Sequence, residues 1–250
     1  MHDTSVGKSI QIIAEIGQNH NGDMQLAKEL IYAAKENGAD VAKFQLYDVD
    51  SIFPKDFEWY NETKKSEVSR DQAFELAQTC EAAGIEFMAS VFDVERVTWC
   101  EDIHMKRYKI ASRSIRHRPL IEAVAATGKD MIVSLGMWDG PHFPAIPARA
   151  RLDYLYCVAK YPTHPEDLNF NSVDFARYSG FSDHTVNIDA SLIAIARGAR
   201  MLEKHFTMSK SMHGPDHSGS MEPQELAQIR RFADSFANIL YHPAIAAAAA

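Results

Sequence analysis

The sequence predicts an α/β protein built as one parallel eight-stranded (β/α)8 TIM barrel, and three observations carry that prediction. Eight short apolar, β-rich runs alternate with helix-period segments along the whole chain, the order expected of βα units around a parallel sheet. Polar residues gather at the C-terminal end of nearly every run, where such a barrel places its site. The length, 250 residues with no linker-like stretch, suits a single barrel. An open doubly wound sheet is the alternative arrangement of the same units. The barrel is expected to occupy residues 1–243, and the alanine-rich tail 244–250 carries no fold prediction.

The first strand is IQIIAEIG (10–17), carrying Glu15 and followed by the polar loop GQNHNGD. MQLAKELIYAAKENG (24–38) places apolar residues at helical spacing and stops at Gly38, the usual helix-ending residue. The second strand, DVAKFQLY (40–47), carries Lys43 and Gln45. Segment 48–69 is a long loop whose Phe53, Phe57, Trp59 and Tyr60 serve either as a lid or as packing on the barrel. RDQAFELAQTCEAAG (70–84) is the next helix, ending at Gly84. The third strand, IEFMASVF (85–92), reaches Ser90 and Asp93; the fourth, RYKIAS (107–112), holds Arg107, Lys109 and Ser112; the fifth, DMIVSLG (130–136), holds Ser134. Three prolines in 137–151 predict a short or irregular fifth helix. The sixth strand, DYLYCVA (153–159), leads to Lys160 and Tyr161. The seventh, SGFSDHT (179–185), carries Ser182, Asp183 and His184, and the eighth, ARMLEKHFT (199–207), carries Glu203, Lys204 and His205. The last helix follows Ser220, has Pro223 in its first turn and runs to about Leu240. Seven or eight helices are expected.

Composition narrows the function. With 26 Lys plus Arg against 34 Asp plus Glu, the net charge of −8 argues against nucleic acid or an anionic membrane as the main partner. No apolar run approaches the roughly 20 residues of a membrane span, and the N-terminus lacks the apolar core of a signal peptide. Three cysteines without metal-like spacing fit reduced thiols and a cytoplasmic location.

A buried parallel strand should read as nearly continuous apolar residues, so charges within these runs need a partner, a substrate or a metal. A structural ion pair accounts for any single Lys or Glu; eight strands showing the pattern together favour a site. Period-two alternation lets Lys43 and Lys109 point into the barrel mouth beside Ser90, Ser112 and Ser134. Two lysines with several hydroxyls suit a small phosphorylated or carboxylated anion, and a Schiff-base role for either lysine is the alternative. His184 and His205 end neighbouring strands and together can hold one divalent metal, with Mn²⁺, Zn²⁺ and Fe²⁺ all suited. His20, His213 and His217 lie in polar loops that could face the same site.

The strings AEIGQNHNGD (14–23), KFQ (43–45), KIAS (109–112), SLGM (134–137), YPT (161–163), FSDHT (181–185), EKHFT (203–207) and GPDHSGSMEP (214–223) occur in this order. Together they resemble the sialic acid synthase family, the N-acetylneuraminate synthases and their legionaminate and pseudaminate relatives. The resemblance runs from the first strand to the last helix. It implies a metal-dependent condensation of phosphoenolpyruvate with the open-chain aldehyde of an N-acylated amino sugar, such as N-acetylmannosamine, giving a nine-carbon 2-keto acid and phosphate. It implies His184 and His205 as metal ligands, with Mn²⁺ expected and Mg²⁺, Co²⁺ or Zn²⁺ as alternatives. It implies Lys43, Ser90, Lys109, Ser112, Ser134 and Ser182 as the phosphoenolpyruvate site, with Lys109 stabilising charge during reaction. Glu15, Tyr161 and Asp216 match groups around the sugar, and Gln45 and Glu203 further polar positions; Glu15 and Glu203 are the candidates for proton transfer or water positioning.

Two departures accompany the match. The family has Asn where this chain has Ala159, and Lys160 beside it is expected to add a charge of useful sign. The family also adds a C-terminal antifreeze-like domain whose arginine enters a partner's sugar pocket, and the resemblance here covers the catalytic barrel only. A homodimer through the barrel is compatible with it. Other functions to be weighed are a different barrel aldolase, a metal-dependent hydrolase, and a catalytically silent binder of sugars or keto acids. Against the last stands the cost of keeping so many charges in strands without use.

Overall fold

A computed structural model describes residues 10–240. Eight parallel strands close into a barrel in sequence order: β1 (Gln11–Gly17), β2 (Val41–Leu46), β3 (Glu86–Val91), β4 (Arg107–Ile110), β5 (Asp130–Ser134), β6 (Leu152–Cys157), β7 (Gly180–Asp183) and β8 (Met201–His205). β8 pairs back onto β1, with Glu15 opposite His205; closure leaves no edge strand and rules out the open sheet. The expected limit at residue 243 and the tail 244–250 lie outside the described residues.

Helices form where the sequence supplies caps. α1 (Met24–Glu36) starts at Asp23, whose carboxylate accepts from the backbone amides of Gln25 and Leu26, satisfying amides that otherwise lack a partner. The loop after β2 contains two short helices, α2 (Val49–Ile52) and α3 (Tyr60–Lys65). α4 (Arg70–Ala83) has a capping box from Ser69 and Gln72 and ends on Gly84 at φ 68°, a left-handed cap that glycine adopts without strain. α5 (Val94–Asp102), α6 (Arg118–Ala126), α7 (Asp189–Ala196) and α8 (Pro223–Leu240) complete the set. Because α2 and α3 belong to a loop, only six of these helices flank the barrel.

Among the described residues no α-helix follows β5 or β6. Pro141, Pro144 and Pro147 interrupt the first of these segments. The second folds into 3-10 turns at Pro165–Asp167 and Phe170–Ser172. Aromatic rings cover the strands in their place: Phe143 lies 4.7 Å from Tyr154 and 4.8 Å from Tyr178, and Phe170 meets Phe181 edge-on at 5.1 Å, the geometry that ring quadrupoles favour.

Strand side chains alternate between the barrel interior and the helix layer. At the interior floor Arg107 lies 2.7 Å from Glu86 and 2.8 Å from Gln11. Above it Ile13, Val41, Met88, Ile132, Leu155 and Met201 form an apolar plug. The next interior layer is polar, and it is the floor of the site. Outward residues such as Ile12, Phe44, Ile110, Val133 and Leu202 pack against the helices in the main core. This parity corrects two sequence assignments: Arg107 sits at the opposite end from the site, and Lys204 points outward, with Nζ 3.2 Å from Asp183 Oδ2. The alternation that turns Glu203 and His205 inward forces Lys204 the other way.

Candidate active site

Four charged residues meet above the apolar plug. Glu15, Lys43 and Lys109 are each 2% exposed and Glu203 is 6% exposed, so each must find its partner locally. Lys43 ion-pairs with Glu15, donates to Ser90 Oγ at 2.9 Å and lies 3.4 Å from Glu203 Oε2. Lys109 Nζ lies 3.4 Å from Glu203 Oε1, which also accepts from Ser182 Oγ at 2.9 Å. Gln45 Nε2 donates to Glu15 Oε1 at 3.0 Å. Burial lowers the Lys43 pKa to about 8, against the opposing pull of Glu203. Burial pushes Glu203 up, but Lys109 and Lys43 outweigh it and bring its pKa to about 2. At neutral pH Glu203 is therefore ionised and Lys43 is mostly protonated.

Hydroxyls line the other side of this layer. Ser112 Oγ accepts from the Gly136 amide at 3.0 Å and lies 3.6 Å from Cys157 Sγ. A Cβ at Gly136 would come within 2.9 Å of Cys157 Sγ and 3.0 Å of Ser112 Oγ, so only glycine lets the backbone approach this closely. Ser134 Oγ is buried and has no hydrogen-bond partner among the described residues, an arrangement that calls for a ligand or water. These groups surround a cavity of about 50 Å³ at the barrel mouth.

His184 and His205 close the same cavity, their ring centroids 5.9 Å apart. His184 Nδ1 is 2.9 Å from the Val158 carbonyl oxygen. A carbonyl can only accept, so Nδ1 is the donor, and in the neutral tautomer this fixes, Nε2 bears the lone pair. Burial lowers the His205 pKa, and His205 Nδ1 is buried without a hydrogen-bond partner among the described residues, 3.7 Å from Asp216 Oδ2. The two rings thus offer uncommitted nitrogens to a divalent metal. Among the described residues no group of three or more His, Cys, Asp or Glu is placed to hold an ion, so water and substrate would complete the coordination, as in an open catalytic site.

A wider cavity of about 520 Å³ continues outward, sharing Gln45, Ser112, Tyr161 and His205 with the inner one. Tyr161 is 63% exposed and lies 4.2 Å from the His184 ring. Asp216 lines this outer space, as do Phe53, Phe57 and Trp59; Phe53 and Phe57 stack at 4.3 Å, and Phe53 and Tyr60 pack against Tyr47, Val49 and Phe92, the packing use expected of the 48–69 loop.

Comparison with known proteins bears on this arrangement. Residues 30–241 match the NeuB family. The chain belongs to the NeuB family. It is 38% identical over 234 residues to the uncharacterized protein MJ1065 of Methanocaldococcus jannaschii, covering 89% of this chain and 69% of that one. It is 36% identical over 251 residues to the N,N'-diacetyllegionaminic acid synthase of Legionella pneumophila, covering 87% and 69%. It is similar to the crystal structure of N-acetylneuraminic acid synthetase from Leptospira borgpetersenii, at TM-score 0.85 and 30% identity over 97% of this chain and 90% of that one. The family resemblance and the barrel read from the sequence both hold.

Within this NeuB barrel the inner cavity gathers Glu15, Lys43, Gln45, Ser90, Lys109, Ser112, Ser134, Tyr161, Ser182, His184, Glu203 and His205, and Asp216 stands at the outer cavity. Other expectations do not survive. Lys160 ion-pairs with Asp167 and lines neither cavity, because the turn after β6 carries its side chain outward. His20 is buried, its Nδ1 accepting from the Gly22 amide at 3.2 Å, with burial lowering its pKa to about 4. His217 is buried between Thr207 and Asn21. His213 faces Trp59 and Glu62 at the surface. None of these three lines the inner cavity.

Cys157 and Arg113 are among the cavity residues that escaped the sequence reading. Cys157 is buried beside His184, and the period-two alternation of its strand placed it inward all along. Burial raises the pKa of its thiol, but His184, Ser112 and Lys109 outweigh that and hold it below the ordinary value. Arg113 lines the outer cavity from a 3-10 turn that follows the KIAS string, where no periodicity announces orientation. All three cysteines are free and buried. Among the described residues no helix is long and apolar enough to cross a membrane.

Proposed function

We propose that this barrel condenses phosphoenolpyruvate with the open-chain aldehyde of an N-acylated amino sugar, yielding a nine-carbon 2-keto acid and inorganic phosphate, with Mn²⁺ as the divalent metal. The supporting observation is the layering of one mouth. Lys43 and Lys109 sit among Ser90, Ser112, Ser134 and Ser182, and two imidazoles with free nitrogens stand beside them. The names of its relatives, synthases of neuraminate, legionaminate and pseudaminate types, point the same way.

In this reading Lys43 and Lys109 hold the carboxylate and phosphate of phosphoenolpyruvate, with serine hydroxyls completing the cradle. A metal held by His184 and His205 would supply Lewis-acid polarisation of the aldehyde oxygen. Tyr161, Gln45 and Asp216 position the sugar in the outer cavity. The C2=C3 π electrons of phosphoenolpyruvate form the bond from C3 to the aldehyde carbon, whose C=O π electrons move onto oxygen as an alkoxide, and positive charge develops at C2. Water adds at C2 and gives one proton to Glu15 or Glu203, which passes it to the alkoxide; the C2–O bond to phosphate then breaks, and the remaining C2 hydroxyl proton leaves with phosphate as the keto group forms. The free protein pairs both carboxylates with the lysines. As the substrate anion draws Lys43 and Lys109 away, Glu203 loses the cations that hold its pKa low, and its basicity rises when the water must release a proton.

The test is a thermal-shift titration of phosphoenolpyruvate with and without Mn²⁺, followed by phosphate release with N-acyl hexosamines. A ligand at about 100 times its Kd stabilises the native state by about 2.7 kcal/mol, a rise of roughly 5–10 °C for a domain of this size. A metal-enhanced shift with sugar-dependent phosphate release is expected. Absence of any shift at millimolar phosphoenolpyruvate would remove the reading.

A further inference from the structure

We propose that Arg113 is an anion-recognition subsite of the outer cavity, selecting an acceptor sugar that bears a phosphate or carboxylate on the carbon farthest from its aldehyde. The proposal deepens the condensation reading and rests on it for the identity of the acceptor. Arg113 follows Ser112 directly and leaves the inner site on the 3-10 turn Ser112–Ser114. Gln45, Ser112, Tyr161 and His205 border both cavities, whereas Arg113, Phe53 and Phe57 border only the outer one. A sugar with its aldehyde at the two imidazoles therefore extends toward Arg113.

The guanidinium is held in place but not neutralised. Nη2 donates to the Ile52 carbonyl at 2.9 Å, and the group lies 4.5 Å over the Phe53 ring, itself stacked on Phe57 at 4.3 Å. A carbonyl and a ring face fix its orientation while using one of five donors. No carboxylate among the described residues pairs with it, in contrast to Arg116, which pairs with Asp139, and Arg96, which lies 3.0 Å from Asp93. In a chain of net charge −8, an oriented and unneutralised guanidinium lining a cavity of about 520 Å³ is suited to bidentate binding of a planar or tetrahedral oxyanion.

The experiment compares three probes, N-acetylmannosamine, its 6-phosphate and the corresponding 6-carboxylate, by calorimetric binding and by phosphate release with phosphoenolpyruvate and Mn²⁺. One anionic probe should bind about 10- to 100-fold more tightly than the neutral sugar, the range of a charge-assisted contact; which one it is identifies the anion. Arg113→Met should remove that preference while leaving the neutral sugar within about threefold, and Arg113→Lys, which keeps the charge, should retain part of it. Equal binding of all three probes, or equal loss of neutral and anionic probes in Arg113→Met, overturns the proposal. Binding through Arg113 without any phosphate release overturns the condensation reading and leaves the subsite standing.

Discussion

Asp183 and Lys204 pair across β7 and β8 on the barrel face turned away from the site, fully buried, with Nζ 3.2 Å from Oδ2. Asp183 also accepts from the Thr185 amide at 2.8 Å and from Ser191 Oγ at 2.5 Å, and Lys204 donates to the Thr185 carbonyl at 2.5 Å. Each partner immediately precedes a histidine of the mouth. The pair therefore fixes, from behind, the register that brings His184 and His205 together.

Lys204→Met should destabilise the barrel strongly, because it leaves the Asp183 carboxylate buried without its cation. Breaking one partner of such a pair costs about 3–5 kcal/mol, a fall in Tm of roughly 10 °C. Adding Asp183→Asn should recover part of that loss by removing the stranded charge. Urea and thermal unfolding measure both, and a cost below about 1 kcal/mol for Lys204→Met contradicts the account.

Phosphoenolpyruvate binding should weaken on the alkaline side. Burial lowers the Lys43 pKa to about 8, so the ammonium that meets the substrate anion is present below that value and lost as pH rises through it. kcat/KM for phosphoenolpyruvate should fall above about pH 8. Lys43→Arg, whose charge persists, should flatten that alkaline limb, and an identical limb in the variant would assign it elsewhere.

His205→Ala should abolish both the Mn²⁺-dependent melting shift and turnover, with far-ultraviolet circular dichroism unchanged. The ring lies at the end of β8 and its Nδ1 makes no hydrogen bond among the described residues, so its removal costs the fold little. Full activity in the variant would contradict the metal assignment.

Lys109→Met should weaken phosphoenolpyruvate more than sugar, since Lys109 lines the inner cavity and not the outer one. Borohydride reduction with pyruvate should leave the masses of peptides containing Lys43 and Lys109 unchanged. A trapped adduct on either lysine would favour the Schiff-base aldolase chemistry instead.

Much of this was legible in the sequence, for identifiable reasons. Strand runs bounded by turn residues located all eight strands, and Lys43 and Lys109 stood out because charges are costly in buried parallel strands. Lys204 has the chemistry of the site, but its place between the inward-facing Glu203 and His205 in an alternating run turns it away. Lys160 and Arg113 lie beyond strand ends, where no period governs direction; one swings out to Asp167 and the other in over Phe53. The quarter of the barrel without helices was half-visible, through its prolines, while the rings that replace the helices meet only in three dimensions.

The in-out-in order of Ser182-Asp183-His184 and Glu203-Lys204-His205 also sets which genetic changes this chain can absorb. Because successive side chains take opposite faces, a one-residue deletion in β8 would move Lys204 into the mouth and Glu203 into the helix layer, exchanging the charge of the mouth with the charge behind it in one step. Substitutions in these strands can act singly; insertions and deletions act on both faces together. Length variation among descendants of this sequence should therefore be confined to segments such as 48–69 and 137–151, which lie between the strands.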